Sequence, residues 1–251
     1  MTANALPWRW IPTLYFAQAL PNVAVATLSV VMYKNLGLSN TDIALYTSWL
    51  YLPWVIKPLW SPLVDLIGRK RGWVVALQFV VGVAFALVAL ALPAPHFFQL
   101  TLAMFWLLAF ASATHDIAAE GLYMLALSEK RQAAFVGVRS TFFRLAMIAG
   151  QGVLVVLAGW LYESNGDYVR AWQVVFALLA ALFAAAALWH AWALPRPATD
   201  RAAARSGPWL REFLGVFAAF LRKREIATIL AFLLLYRFAE FEIDVSQQEL
   251  R

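Results

Sequence analysis

Six stretches of this sequence are apolar for long enough to span a lipid bilayer: residues 11–33, 41–59, 73–92, 97–127, 136–161 and 172–193. A helix rises about 1.5 Å per residue, so about 20 apolar residues cross a hydrocarbon core of about 30 Å. Short polar or proline-containing connections separate the runs, at 34–40, 61–72, 93–96, 128–132 and 162–170. Composition closes off the alternative of a soluble core. The 251 residues are 63% hydrophobic and 14% charged, whereas soluble domains hold about 45–50% apolar and about 25% charged residues. Too few polar residues remain to cover a water-facing surface, so the excess apolar surface faces lipid. The expected fold is an all-α membrane protein, a six-helix transmembrane bundle.

The net charge of +6 does not read as nucleic-acid binding, because the basic residues sit in short segments between the apolar runs. Loops on one side of the bundle hold Arg9; Arg69, Lys70 and Arg71; Lys130 and Arg131; and Arg196, Arg201, Arg205, Arg211, Arg222, Lys223 and Arg224. Loops on the other side hold Lys34 and Arg170. Cytoplasmic loops collect Lys and Arg, which predicts a cytoplasmic N-terminus and a multi-pass protein of the inner membrane. The first run exceeds a signal-peptide core of about 7–15 residues and is interrupted by Gln18 and Asn22, so it reads as a span. With zero cysteines, disulfide and thiolate metal sites are absent.

Three regions follow from this pattern: a six-helix half over 1–194, a loop over 195–224, and the start of a further span over 225–251. In the loop, 195–207 reads as an irregular linker. Beyond it Trp209, Leu210, Phe213, Leu214, Phe217, Phe220 and Leu221 recur at helical spacing opposite Arg211, Glu212 and Arg222, as in an amphipathic helix lying at the membrane surface. A plain linker helix is the alternative. A seventh apolar run begins at Ile226 and fades near Phe241, so the expectation is a truncated seventh helix.

Several segments carry a family resemblance. The connection after the second run, Ser61-Pro-Leu-Val-Asp65-Leu-Ile-Gly68-Arg69-Lys70-Arg71, resembles the loop G-x-L-x-D-R-x-G-R-K of the major facilitator superfamily. Asp65, Gly68, Arg69 and Lys70 match it, while Ser61 and Leu66 depart from it. Tyr15-Phe-Ala-Gln18-Ala-Leu-Pro21, Ala113-Thr-His115-Asp116-Ile-Ala-Ala-Glu120-Gly121, Arg139-Ser-Thr-Phe-Phe-Arg144 and Gly150-Gln151-Gly152 are similar to the AmpG-type permeases, a branch that includes acetyl-CoA transporters. The resemblance implies one half of a twelve-helix carrier, with a missing C-terminal half or a second copy as partner. It also implies proton-coupled import of muropeptides, with acetyl-CoA or another anionic conjugate as the alternative cargo. The loop at Asp65, Gly68, Arg69 and Lys70 would then serve the conformational cycle. Drug exporters of the superfamily carry a Gly-Pro pair in the fifth helix, and the run 136–161 has none.

Ionisable residues inside spans are costly and face the bundle interior or a wet cavity. Asp116 and Glu120 lie one turn apart on the fourth run; Arg139 and Arg144 lie on the fifth, running the opposite way. Counting helical rise from the hairpin predicts two rungs, Asp116–Arg144 and Glu120–Arg139, although the two arginines point about 140° apart. Such pairs serve either as titrating, proton-coupling groups or as permanent structural ties. His115 is a third proton-coupling candidate, with a neutral hydrogen-bonding role as the preferred reading. Tyr15, Gln18 and Asn22 offer a ring and neutral donors for a sugar or peptide, and Arg139, Arg144 and Gln151 complete the candidate substrate contacts; interhelical hydrogen bonding is the alternative. Lys57 is expected to snorkel to the interface, and Gly150, Gly152 and Gly159 to permit close helix packing.

An intramembrane metallohydrolase using His115, Asp116 and Glu120 is the competing class. His96 and His190 are expected far in depth from His115, and zinc hydrolases need three converging ligands. The reading is therefore a carrier with no enzymatic role, metal or cofactor, whose partners are the bilayer, protons and a small solute. A non-functional fragment of such a carrier is the remaining alternative.

Overall fold

A computed structural model describes residues 6–201, 209–222, 225, 226, 228, 231 and 232. The chain divides into two compact units, Met1–Ala203 and Ala204–Arg251.

In the first unit, five helices among the described residues are long and apolar enough to cross a membrane. They are α1 (Pro7–Asn35), α3 (Lys70–Ala91), α4 (Phe97–Ala126), α5 (Glu129–Asn165) and α6 (Tyr168–Ala193). The second expected span differs. Residues 40–66, called α2, are a series of short α and 3₁₀ segments from Asn40–Thr47 to Ser61–Leu66. Pro53, Pro58 and Pro62 fall within it, and each lacks an N–H and clashes with the carbonyl four residues back. The apolar run persists while the helical ladder is repeatedly interrupted. Pro21 acts more mildly in α1: the helix continues, and a π turn follows at Ala24–Leu28. A second π turn, Ala149–Leu154, interrupts α5.

Local chemistry sets the ends. Ser39 Oγ accepts from Asp42 N at 3.1 Å at the start of α2, and Asp167 Oδ1 accepts from Val169 N and Arg170 N at the start of α6. Gly166, in the left-handed region at φ 68°, closes α5.

Buried rings of α3, α4 and α6 form the main core, with Phe85 against Phe183 (5.5 Å between centroids) and Phe105 against Phe176 (5.8 Å). A second cluster joins Trp10, Leu14 and Tyr15 of α1 to Val74 of α3 and to Leu122 and Tyr123 of α4. Helix α5 packs against α1 and α6 and otherwise presents Val153, Val156 and Trp160 outward, each more than 60% exposed. Such a surface is stable in lipid and would not be in water. This is a multi-pass membrane protein.

One end of the bundle gathers the basic connections. Arg71 donates to the carbonyls of Ala191 and Leu194 at the end of α6. Both Asp200 oxygens accept backbone N–H groups at the start of α3, from Lys70 (2.7 Å) and Arg71 (3.1 Å). Trp189 Nε1 donates to the Arg9 carbonyl at 3.2 Å. Lys34, Asn35 and Asn40 meet at the opposite end, where Trp172 Nε1 donates to Asn35 Oδ1.

In the second unit, Trp209–Leu221 forms the expected helix, α7, with the Phe213 and Phe217 rings 5.2 Å apart. The linker over 202–208, most of the seventh run and the polar tail 242–251 lie outside the described residues.

Candidate functional site

A cavity of about 690 Å³ opens between α1, α4 and α5, lined by Tyr15, Gln18, Glu120, Arg139, Ser140, Phe143, Arg144, Met147 and Ile148. Five of the candidate residues meet there. Asn22 and Gln151 are not among the lining residues; Asn22 is half-buried, and Gln151 is exposed on the π turn of α5.

Arg139 organises the wall. Its Nη2 donates to Glu120 Oε1 at 2.7 Å, forming the Glu120–Arg139 rung. Its guanidinium lies 4.7 Å from the Tyr15 ring centroid and 5.0 Å from that of Tyr123. Three groups on two helices therefore fix the cation, which keeps further N–H donors for a ligand. Tyr15 and Gln18 are one turn apart on α1. The Tyr15 hydroxyl and Gln18 Oε1 are buried yet have no hydrogen-bond partner among the described residues, although Tyr15 lies beside Glu120. Buried polar atoms are nearly always paired, so two orphans on one cavity wall call for a ligand or water.

The Asp116–Arg144 rung does not form. Asp116 instead meets Lys57 Nζ of α2 at 3.7 Å, and Lys57 is therefore more than a snorkelling cation. Arginines five residues apart cannot both face α4, and Arg139 takes that position. The broken α2 turns Lys57 inward within the short turn Lys57–Leu59, beside a Trp60 Nε1 to Thr114 Oγ1 hydrogen bond of 3.1 Å. Arg144 is left on the cavity wall with no ion pair among the described residues.

His115 turns away from the cavity. Its Nε2 lies 3.1 Å from Gln78 Nε2, and Gln78 Oε1 lies 2.8 Å from His190 Nδ1. The expectation that His190 is remote from His115 is corrected: one glutamine spans both. Gln78 was missed because a single Gln in an apolar run carries no local pattern; its sole signal is being a polar residue inside a span. Ser140, Phe143 and Met147 were missed too, although Phe143 lies one turn from Arg139, and Ser140 and Met147 lie one turn from Arg144. Among the described residues no cluster of three or more His, Asp or Glu is placed to hold a metal.

At the basic end, Lys70 pairs with Asp65, and its stem lies where a side chain on Gly121 would stand. Gly68 takes φ 81° to turn the chain between them. Arg69, Arg71, Arg196 and Arg201 surround Asp200 in a cleft of about 440 Å³. Of the four glycines on α5, Gly150 is the one packed against another described element: a Cβ there would meet Val23 Cγ1 at 2.7 Å. Gly152 and Gly159 face open space, with no described atom within 4 Å of an added Cβ.

The family model described as Major Facilitator Superfamily matches residues 13–242. Over 176 residues the chain is 30% identical to an anhydromuropeptide permease of Escherichia coli, covering 67% of this chain and 33% of that protein. Over 247 residues it is 25% identical to a Rickettsia conorii protein that carries the name AmpG 4, covering 90% of this chain and 55% of that one. An uncharacterized membrane protein of Saccharomyces cerevisiae is 36% identical over 77 residues, 28% of this chain and 13% of its own. The chain spans about a third of the length of the first relative and about half of the second. The chain belongs to the Major Facilitator Superfamily, and within it is similar to the AmpG permeases.

Proposed function

We propose that this chain forms the N-terminal half of a solute carrier that works by alternating access, importing muropeptides together with protons. The observation that carries the reading is the wall of the α1–α4–α5 cavity. There two buried polar atoms (Tyr15 Oη and Gln18 Oε1) without a hydrogen-bond partner among the described residues stand beside the clamped Arg139 and beside Arg144, which has no ion pair among those residues. A sugar with an attached peptide supplies hydroxyls and amides for the first pair and carboxylates for the second. Similarity to an anhydromuropeptide permease supports the same cargo. Asn22, Gln151 and the π turns extend the contact surface on opening. Asp116, Glu120 and His115 are the proton-coupling groups, and the Asp65–Lys70 loop, with Gly68 and Arg69, engages the partner half during the cycle. Such carriers place the site between two halves, so a second six-helix half or a second copy completes the cavity. The basic end faces the cytoplasm of an inner membrane, and α7 lies on that surface.

The unpaired Arg144 also favours a second cargo, acetyl-CoA or another anionic conjugate. The test is uptake of labelled anhydromuropeptide by vesicles holding the chain, alone and co-expressed with the second half of an AmpG relative. Accumulation that a protonophore abolishes is the expected result. Uptake of acetyl-CoA in preference supports the second cargo, and no uptake of either solute with the second half present overturns both.

A further inference from the structure

The polar groups of the bundle that the cavity leaves unused form a second set, buried at His115, Gln78 and His190 and exposed at its Thr13 end. Thr13 of α1, His190 of α6, Gln78 of α3 and His115 of α4 lie in series. Thr13 Oγ1 is 3.0 Å from His190 Nε2, His190 Nδ1 is 2.8 Å from Gln78 Oε1, and Gln78 Nε2 is 3.1 Å from His115 Nε2. Gln78 and His190 are wholly buried, and His115 is 3% exposed.

The hydrogen-bonding capacities fix what this series can hold. A primary amide offers one acceptor oxygen and one donor NH2, and a charged imidazole donates from both nitrogens. With Gln78 Nε2 donating to His115, that imidazole presents a bare Nε2 and is neutral. Gln78 Oε1 then accepts from His190 Nδ1–H. His190 can carry a second hydrogen on Nε2 and donate it to Thr13, whose own hydroxyl reaches the Trp10 carbonyl at 3.3 Å. Turning the amide by half a rotation exchanges the parts. His115 Nε2–H then donates to the oxygen, the amide NH2 donates to His190 Nδ1 and leaves that imidazole neutral, and His115 becomes the ring able to carry the second hydrogen. With both imidazoles charged, one N–H would face the amide NH2 with no acceptor between them, an expensive arrangement in a buried site.

The surrounding charges do not alter this count. Asp116, next to His115 on α4, meets Lys57 of α2; Glu120 meets Arg139 of α5; Arg71 of α3 binds carbonyls at the end of α6. On α1, Tyr15 lines the cavity and Arg9 is exposed. His190 is the titratable group that faces His115 from another element among the described residues. We propose that His115 and His190 form one proton-binding site that holds a single proton on either imidazole, with Gln78 selecting which. Its part in transport rests on the proton-coupled reading above, whereas its existence as a site does not.

The test is ring-nitrogen NMR of the whole chain, labelled at histidine and held in lipid nanodiscs, across about pH 4 to pH 8, the range that brackets histidine titration. His96→Asn removes the signals of the third histidine. One proton taken up in total, divided between His115 and His190 as complementary fractions, is the expected result. Two protons taken up, or none, overturns the proposal without recourse to any variant. In Gln78→Glu, which supplies two acceptor oxygens, both imidazoles become charged; continued uptake of one proton there also overturns it. The transport reading fails separately, if muropeptide accumulation ignores a protonophore while the one-proton titration stands.

Discussion

Lys57 approaches Asp116 at 3.7 Å across α2 and α4, and so pairs with the carboxylate that residue count alone had placed level with Arg144. The consequence is a division of labour among three cations. Lys57 neutralises an acid, Arg139 is clamped by Glu120 and two tyrosine rings, and Arg144 stands unpaired on the cavity wall. Stability and ligand binding should therefore separate cleanly among them.

Arg144→Gln should leave the melting midpoint of the purified chain nearly unchanged, since an exposed side chain without a partner costs within about 0.5 kcal/mol to replace. Binding of an anionic cargo should fall at least about tenfold, equivalent to about 1.4 kcal/mol. Calorimetric titration and a thermal melt on the same sample check both halves.

Arg139→Met removes the donor that Glu120 accepts from and should destabilise the bundle by about 1.5–3 kcal/mol, the range for hydrogen bonds to charged groups. Glu120→Gln, which keeps an acceptor oxygen, should cost less. A double-mutant cycle with Glu120→Leu reports the coupling, and additive losses would show that the pair contributes nothing jointly.

Tyr15→Phe and Gln18→Leu each delete a buried atom that has no hydrogen-bond partner among the described residues. Tyr15→Phe should not destabilise the chain and can gain up to about 1 kcal/mol, because an unmet desolvation cost disappears, whereas in Gln18→Leu the lost contact of the amide with Asp116 offsets that gain. Muropeptide binding should weaken in both. A lowered melting midpoint for Tyr15→Phe would mean that the hydroxyl already has a partner in the resting protein.

Asp200→Ala strips two backbone N–H groups at the start of α3 of their acceptor and should cost about 1 kcal/mol, as loss of a helix cap does. Hydrogen exchange at Lys70 and Arg71 should accelerate while exchange in the middle of α3 stays unchanged.

Gly150→Val places a side chain against Val23 and should cost about 1–3 kcal/mol as overpacking. Gly152→Ala and Gly159→Ala meet open space and should be neutral or mildly stabilising, since Ala favours a helix over Gly by about 1 kcal/mol. Melting midpoints of the three variants in one detergent decide between close packing and free surface at each position.

The apolar runs were legible because each is a local property of consecutive residues measured against the thickness of a bilayer. The second run reads as one span, and the breaks in α2 went unread although Pro53, Pro58 and Pro62 mark them; no local rule turns Lys57 toward α4. The depth argument placed Glu120 level with Arg139 correctly and also placed Asp116 level with Arg144. Depth along a helix follows from residue count, whereas the direction a side chain points around the axis depends on which face packs. Gln78 illustrates the further limit. Its partners lie 37 and 112 residues away in sequence, so nothing near it announces a role.

By itself the sequence determined that lipid surrounds this chain, where five of its six expected spans lie, which end collects the basic residues, and which family it resembles. Only the tertiary structure decided that Asp116 belongs to Lys57, that Arg144 faces the cavity unpaired, and that one amide spans two histidines. Spanning is set by the summed transfer free energy of adjacent side chains, which sequence order preserves. Pairing is set by the rotation of each helix about its own axis, which emerges only when six helices compete for the same interior.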